Sequence, residues 1–269
     1  MFATVDAEQP IQLSFSQRNT YDKCPYSWHL DKQLKVWRRP AAWLAQGTAV
    51  HAGGEAYEKS GRRLTLEQFQ RVYADSYAEE IREYARETPN FDWWFPSGRY
   101  KGREDINRRY KLGLDMCGRY IDWYEKNPHQ KPWITPDGTP AVELAFDIDL
   151  DGTRVRGYID LIVWDEDRKR WVVRDNKTGR SPGDDFQLGL YKVAVEVDYG
   201  IRVTEGDYWM GKAGKPTFPY NLIDMSRDYV SDEFNKLADN IRAERFDPDP
   251  DPDKCMFCSV KASCEFSLA

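Results

Sequence analysis

The 269-residue chain lacks any apolar run long enough to cross a membrane, and its start lacks the basic-then-apolar order of a secretory signal. Its five cysteines are few and odd in number, which argues against a disulfide framework in a chain of this size. No internal repeat of twenty or more residues is present. These absences predict a soluble cytoplasmic protein made of one large domain.

The chain also lacks an excess of basic residues. Lys and Arg number 39 against 45 Asp and Glu, which gives a formal net charge of −6. That balance does not point to nucleic acid, but a basic groove can coexist with an acidic exterior. Part of the acidity lies in residues 247–253, where Asp and Pro alternate. Proline excludes this run from helix interiors and central strands, and we expect an extended strap.

The hydrophobic pattern predicts helices first and a mixed sheet second, hence an α/β domain. A helical region spans 14–140, a core spans 141–224, and a C-terminal helix with a cysteine segment spans 228–269. Capping-box spacing marks two helix starts, at Ser14 with Gln17 and at Thr65 with Gln68. The expected helices are 14–30, 41–60, 65–86, 104–126, 184–199 and 228–243, and the expected strands are 141–149, 153–164, 171–175, 203–210 and 217–224.

Residues 157–191 carry the most informative pattern. Two β-rich runs flank a charged turn, which predicts a β-hairpin. Asp160 lies in the first run and Asp175 near the end of the second, and Lys177 follows at the spacing that shares a strand face with Asp175. Two carboxylates and an ammonium at one point suit a divalent cation and phosphate chemistry. The alternative is a surface hairpin with solvated charges.

The cysteines form a second pattern. Cys255, Cys258 and Cys264 are spaced C-x2-C-x5-C, and Cys24 is the natural candidate for a fourth thiolate. Zinc and iron–sulfur clusters both accept four thiolates, and the spacing alone does not decide between them. Cys117 falls in an expected helix, where it reads as a small buried apolar residue.

The hairpin region resembles the PD-(D/E)XK nuclease superfamily, and within it the RecB-type exonucleases. The matching motifs, in order, are Gly157-Tyr-Ile-Asp160, Asp175-Asn-Lys177-Thr-Gly179 and Gln187-x-x-x-Tyr191, with Ile159 in place of the nominal proline. The resemblance implies a restriction-endonuclease-like core, a mixed sheet flanked by helices. It implies that the catalytic residues are Asp160, Asp175, Lys177, Gln187 and Tyr191.

The cysteine order is similar to the iron–sulfur branch of these nucleases, which includes CRISPR-associated exonucleases and AddB-type nuclease domains. The segments Leu13-Ser-Phe-Ser-Gln17 and Cys24-Pro-Tyr26 also resemble that branch, so the likeness covers nearly the whole chain. It implies a 4Fe–4S cluster that joins the two ends of the chain as a clasp. The implied cluster ligands are Cys24, Cys255, Cys258 and Cys264.

The metal ligands follow from a third resemblance. Gly47, Thr48, His51 and Glu55 are similar to a GTxxHxxxE helix of RecB-type nucleases, although a lone helical His is more often structural. The resemblance implies that Mg²⁺ or Mn²⁺ is held by His51, Asp160, Asp175 and the backbone carbonyl of Asn176. An imidazole ligand favours Mn²⁺ more than an all-oxygen site would. Glu143 either supports this site or lies on a solvated strand face.

A path for DNA is expected where basic and aromatic residues alternate, because single strands bind through stacking and phosphate contacts. The alternative is a loop whose aromatic side chains pack and whose charges are solvated. Arg180 is added because it follows the Asp175–Gly179 motif. The candidates for DNA contact are Arg99, Lys101, Arg103, Arg108, Arg109 and Arg180.

The resemblance therefore implies a metal-dependent DNA exonuclease acting on single-stranded DNA or DNA ends. The implied setting is recombination, repair, phage DNA metabolism or CRISPR adaptation, with a partner subunit of a recombination or CRISPR complex and, for a phage-encoded protein, the host cytoplasm. The alternative is a non-catalytic iron–sulfur subunit that binds DNA ends. Retention of Asp160, Asp175 and Lys177 favours the enzyme.

Overall fold

A computed structural model of the protein describes residues 11–269. Its first half is helical, apart from a two-residue strand at the start, and its second half contains most of the sheet. No helix in 11–269 has both the length and the apolar character needed to span a bilayer. The elements up to the sheet are β1 (Gln12–Leu13), α1 (Phe15–Lys23), α2 (Pro25–Trp28), α3 (Ala42–Lys59), α4 (Leu66–Glu87) and α5 (Gly102–Lys126).

A mixed sheet of eight strands in the described residues forms the centre. The further strands are β2 (Gln130–Pro132), β3 (Val142–Leu150), β4 (Thr153–Asp165), β5 (Arg170–Lys177), β6 (Glu205–Met210), β7 (Lys215–Pro216) and β8 (Tyr220–Asn221). The long β4 pairs antiparallel with β2, β3 and β5 and parallel with β1. Strand β6 pairs parallel with β5, so the intervening α6 (Asp185–Tyr199) is a crossover helix.

Helices cover both faces of this sheet. On one face, α6 and α7 (Arg227–Arg242) contribute Leu188 and Phe234 to a core that includes Ile159 of β4. On the other face, α3, α4 and α5 build a second core with Leu161 of β4 and Trp209 of β6. The predicted α/β architecture, a mixed sheet flanked by helices, is thus observed.

Local signals located most element starts correctly. Thr65 and Gln68 form both hydrogen bonds of the capping box, and Ser14 Oγ accepts a 3.4 Å hydrogen bond from Gln17 N. The single helix predicted over 14–30 is wrong, because α1 ends at Lys23 and Cys24 is extended (φ −166°, ψ 108°) before Pro25 starts α2. A residue that precedes proline is driven out of the helical region, which explains the break.

Two further differences concern the C-terminal half. The strand predicted over 217–224 is only the two-residue β8, which pairs with β6. The Asp-Pro run is extended until Pro252, which begins the short helix α8 (Pro252–Met256). Asp251 caps that helix by accepting hydrogen bonds from Asp253 N and Lys254 N, and proline is well tolerated in a first turn.

The C-terminal segment returns to the N-terminal helices. Arg39 N donates a 2.7 Å hydrogen bond to Ser259 O, and Asp249 N lies 3.4 Å from Cys24 Sγ. The ring of Tyr26 packs edge-on against Phe266, with ring centroids 5.0 Å apart. These contacts join the two ends of the described chain beside the cysteines.

The crossing of α4 and α5 gives a test of packing. A Cβ added at Gly113 of α5 would lie 2.1 Å from the Tyr73 ring, so we expect Gly113→Ala to destabilise the protein by about 1–3 kcal/mol through overpacking. Gly118→Ala is the matched control on the same helix, because its Cβ would meet only Leu66 Cδ1 at 3.9 Å. That control should be neutral or slightly stabilising, since alanine favours helix. Urea unfolding measures both, and equal stabilities would refute the close contact.

Candidate active site

The hairpin of β4 and β5 brings two carboxylates to one point in the sheet. Leu161 pairs with Arg174 in the last register of the β4–β5 ladder, so Asp160 and Asp175 lie where the two strands begin to diverge. Both side chains are buried. Asp160 Oδ2 accepts a 2.7 Å hydrogen bond from Asn176 N, which links the two strands just beyond their paired region.

Helix α3 supplies the histidine. His51 Nε2 lies 2.9 Å from the carbonyl oxygen of Asn176, while Nδ1 lies 3.3 Å from Asp160 Oδ2 and 3.2 Å from Glu143 Oε1. A ligating histidine usually donates its other ring N–H to a carbonyl or carboxylate. The Asn176 carbonyl occupies that position here, and Nδ1 faces the carboxylates.

Glu143 completes the group, and the sequence had left its role open. Its neighbours Val142 and Leu144 pair with Leu161 and Ile159, which sets Glu143 opposite Asp160. Glu143 has a positive φ of 47°, a conformation that costs a non-glycine residue about 1–3 kcal/mol and that clusters at functional sites. The ligand atoms of His51, Glu143 and Asp160 all lie within 4.8 Å of one another.

Asp175 belongs to a second set of contacts, made with helix α6. Gln187 Nε2 and the Tyr191 hydroxyl donate hydrogen bonds of 2.6 and 3.1 Å to Asp175 Oδ1. Lys177 Nζ lies 2.8 Å from Asp175 Oδ2 and donates a 2.8 Å hydrogen bond to Gln187 Oε1. Gln187 and Tyr191 share a helix face at a spacing of four residues, so α6 orients both the acid and the lysine.

Charge accumulation changes the acidity of the site. Burial raises the pKa of the Asp160 carboxyl to about 8; the positive His51 opposes this rise, and the nearby Asp175 and Glu143 carboxylates add to it. Burial lowers the pKa of His51, but Asp160, Glu143 and Asp175 more than offset this and raise it to about 10. The site retains protons at neutral pH because its carboxylates crowd together, and a bound cation would relieve the repulsion between them.

The donor set also fits a divalent cation. Two carboxylates and an imidazole nitrogen are ligands that Mn²⁺ and Mg²⁺ accept. Asp175 Oδ2 is buried and, within residues 11–269, receives no well-directed hydrogen bond despite the nearby Lys177. Buried acceptors without donors are costly unless a cation or water satisfies them.

Comparison with known proteins identifies the family. The PD-(D/E)XK nuclease superfamily matches residues 12–265 of the chain. The chain belongs to this superfamily. Its members are nucleases that use divalent metals such as Mg²⁺ and Mn²⁺, and the mixed sheet flanked by helices is consistent with their fold.

Curated relatives and a solved structure add similarities. The Gene 69 protein of Mycobacterium phage D29 is 49% identical over 259 residues, covering 93% of this chain and 95% of that relative. The Gene 69 protein of Mycobacterium phage L5 is 45% identical over 278 residues, with the same coverages. A structure described as "Crystal structure of SSO0001" aligns with 98% of this chain and 90% of its own at 13% identity, with a TM-score of 0.42.

Most residues predicted to contact DNA make contacts within their own segment of this nuclease. Arg99 and Arg103 lie over the rings of Tyr100 and Phe91, within their own segment, and Lys101 is exposed at the start of α5. Arg108 and Arg109 contact Asp105 of the same helix. These contacts account for part of the basic stretch structurally.

A cationic area nevertheless lies at the end of β6. Burial lowers the pKa of Lys212, and the neighbouring charges of Arg109, Arg180 and Arg108 lower it further, so four cations share this area. Gly211 N donates a 2.8 Å hydrogen bond to Lys177 O, which sets the area beside the candidate active site. Sequence reasoning missed Lys212, since only strand pairing brings it next to the DxK motif.

The four cysteines of the predicted cluster line one cavity of about 470 Å³. All four are partly buried, whereas Cys117 is fully buried in α5. Burial raises the pKa of Cys264, and the nearby Cys24 and Cys255 raise it further, so these thiols interact although Cys24 is far away in sequence.

Metal affinity should depend on pH. A cation that binds between His51 and Asp160 must displace the protons that these groups hold, so Mn²⁺ affinity should rise with pH across 6–9 by up to about tenfold per unit for each proton released. The Asp160 contribution should level off above about pH 8. Calorimetric titration in two buffers of different ionisation enthalpy counts the protons. His51→Gln should bind more weakly with a shallower pH slope, and a pH-independent affinity would contradict the geometry.

Proposed function

We propose that the protein is a metal-dependent DNA exonuclease of the RecB type that acts on single-stranded DNA or DNA ends. Superfamily membership makes it a nuclease, and the finer assignment goes beyond that membership. One observation carries it: His51, Glu143 and Asp160 converge beside the Asp175–Lys177 pair. The order of the motifs along the chain supports the RecB branch, and the phage relatives support a role in phage DNA metabolism in the host cytoplasm.

The metal site would be built from the carboxylates and the imidazole. His51, Glu143 and Asp160 would hold Mg²⁺ or Mn²⁺, with Asp175 as a neighbouring oxygen ligand. The carbonyl of Asn176, which the motifs implied as a ligand, would instead accept the Nε2–H of His51 and orient the ring. A divalent cation supplies Lewis acidity and neutralises charge on the phosphate. Glu143 is added to the ligands expected from the motifs because its carboxylate lies 3.2 Å from His51 Nδ1.

Lys177 would act on the phosphate or on the attacking nucleophile. Its ammonium is held by Asp175 and Gln187 and lies 5.3 Å from the centre of the Tyr208 ring. Its side chain is 28% exposed, whereas that of Asp175 is 3% exposed, so the lysine presents its charge toward solvent. A preorganised cation of this kind stabilises negative charge that grows in a transition state. Tyr191 would keep Asp175 in place through its hydrogen bond.

The cationic area formed by Arg108, Arg109, Arg180 and Lys212 would bind the DNA backbone next to the reacting phosphate. Arg109 Nη1 donates a 3.0 Å hydrogen bond to Gln46 Oε1 of α3, which ties the area to the helix that carries His51. Arg99, Lys101 and Arg103 would extend the path next to the start of α5. A partner subunit of a recombination or CRISPR complex remains part of the proposal.

The cysteines would hold a 4Fe–4S cluster that clasps the two ends of the chain. All four line one cavity, so a single metal centre could take all of them as ligands. Zinc and iron–sulfur clusters both accept four thiolates. The order of the cysteines along the chain, which is similar to that of the iron–sulfur branch of these nucleases, favours the 4Fe–4S cluster over zinc.

Cleavage assays test the nuclease proposal. Asp160→Asn and Lys177→Met should each lower cleavage of end-labelled linear DNA by at least about 100-fold with Mn²⁺ or Mg²⁺. The Lys177→Met variant should still bind the metal, whereas the Asp160→Asn variant should bind it much more weakly. Asp167→Asn, in the exposed turn at the far end of the hairpin, is the control and should cleave normally. A covalently closed single-stranded circle should resist, because an exonuclease needs an end.

Two results would contradict this proposal. Equal cleavage of circles and linear strands would make the protein an endonuclease. Wild-type protein that binds DNA ends and metal but cleaves nothing would instead indicate the non-catalytic end-binding subunit.

The cluster has its own test. Protein purified without oxygen should be brown and contain iron and sulfide, and Ser replacement at Cys24, Cys255, Cys258 or Cys264 should remove the colour. The same replacements should destabilise the protein, because loss of the cluster frees both ends of the chain. Cys117→Ser is the control and should keep the iron. A colourless protein that contains one zinc ion would overturn the 4Fe–4S assignment but would still support a metal centre that joins the two ends of the chain.

A further inference from the structure

Strand β4 has an exposed aromatic side chain two residues before Asp160. Val155 and Ile159 of this strand are buried in the core with α6 and α7, so Arg156 and Tyr158, at alternating positions, point to the opposite face. Asp160 reaches His51 of α3, which lies on that opposite face. Tyr158 and Asp160 therefore lie on one side of the sheet, about 7 Å apart along the strand.

Nothing in the described fold covers Tyr158. Its side chain is 62% exposed, and its cross-strand partner on β3 is the small, exposed Ala145. Helix α3 packs against β3 beside this face and leaves the His51 side chain 31% exposed. An accessible ring thus borders the candidate metal site, and packing does not account for it.

The exposed face of β4 also carries two arginines, Arg154 and Arg156. Arg154 forms a bidentate ion pair with Asp147, at 2.6 and 2.7 Å. Arg156, between Arg154 and Tyr158 on the same face, is exposed and forms no ion pair within residues 11–269. An exposed ring followed by an unpaired guanidinium suits a base that stacks and a phosphate that is neutralised. Stacking on Tyr158 requires a base whose face is free, which the interior of a paired duplex does not offer.

We propose that Tyr158 stacks on the base of a nucleotide next to the phosphate at the active site, with Arg156 contacting the adjoining backbone. The open face of β3 and β4 thereby selects an unpaired strand. This inference rests on the proposed nuclease function and deepens it, since it names single-stranded nucleic acid as the substrate at this face. Tyr158 is a positioning residue whose ring orients the strand.

Binding without cleavage tests the ring. A fluorescein-labelled oligothymidine of about ten nucleotides is titrated in EDTA, and anisotropy gives its affinity. Tyr158→Ala should weaken binding by about 5- to 100-fold, and Tyr158→Phe should bind within about threefold of the wild type, because stacking uses the ring and not the hydroxyl. Phe218→Ala removes a ring that is 94% exposed in the β7–β8 loop and is the matched control, with less than about a twofold change.

An abasic substrate separates stacking from damage to the fold. When abasic sites replace the bases, the affinities of wild type and Tyr158→Ala should converge, because no base is left to stack. Three results would each overturn the proposal. The first is weaker binding of Tyr158→Ala that persists on the abasic strand, the second is equal affinity of wild type and Tyr158→Ala for oligothymidine, and the third is no measurable binding by the wild type. A protein that partners this face instead of nucleic acid would give the second result.

The two proposals fail differently. If the wild type binds the strand with the expected dependence on Tyr158 but does not cleave it in Mn²⁺, the proposed nuclease activity is refuted and base stacking on Tyr158 is supported. If the wild type cleaves DNA ends and Tyr158→Ala binds with unchanged affinity, the nuclease activity is supported and base stacking on Tyr158 is overturned.

Discussion

The crowding of three carboxylates at one buried point is the constraint on which the site depends. Glu143, Asp160 and Asp175 come from three adjacent strands, and two of them are almost wholly shielded from water. Like charges in such surroundings are unfavourable unless cations or donors compensate them. His51 and Lys177 supply that compensation in the protein alone, and a divalent cation would supply more.

The elements around the sheet follow from that requirement. Helix α3 must lie against β4 at Asp160 for His51 to reach this carboxylate, and α6 must return to β5 after a short loop for Gln187 and Tyr191 to hold Asp175. The backbone of β3 bends out of the strand conformation at Glu143 for its carboxylate to join them. Strain of this kind is retained where the surrounding structure fixes it, as the flanking pairs of β3 with β4 do.

The face of β5 opposite Asp175 carries a buried, paired network. Arg174, next to Asp175 in sequence, is buried and forms a bidentate ion pair with Asp207 at 2.6 and 2.8 Å. Tyr124 accepts a further hydrogen bond from Arg174 at 2.9 Å. Asp175 points to the opposite face of β5, toward Gln187 and Tyr191 of α6. The strand thus carries a paired network on one face and a carboxylate of the candidate site on the other.

Much of the fold could be predicted from sequence. The Thr65–Gln68 box, the β4–β5 hairpin and the crossover helix depend on neighbours in the chain, and short-range patterns report them. The break at Cys24 was also readable, since Pro25 follows it. The short strand β8 was not, because its two residues form a strand only by pairing with β6.

The candidate site divides along the same line. The sequence by itself determined which groups are present: Asp160, Asp175 and Lys177 at hairpin spacing, and Gln187 and Tyr191 one helical turn apart. Only the tertiary structure decided that Glu143 joins His51, that Lys212 lies near the charge of Arg180, and that Tyr158 stays uncovered. Spacing along one strand or helix is fixed by backbone geometry, whereas distances between elements depend on how the whole core packs.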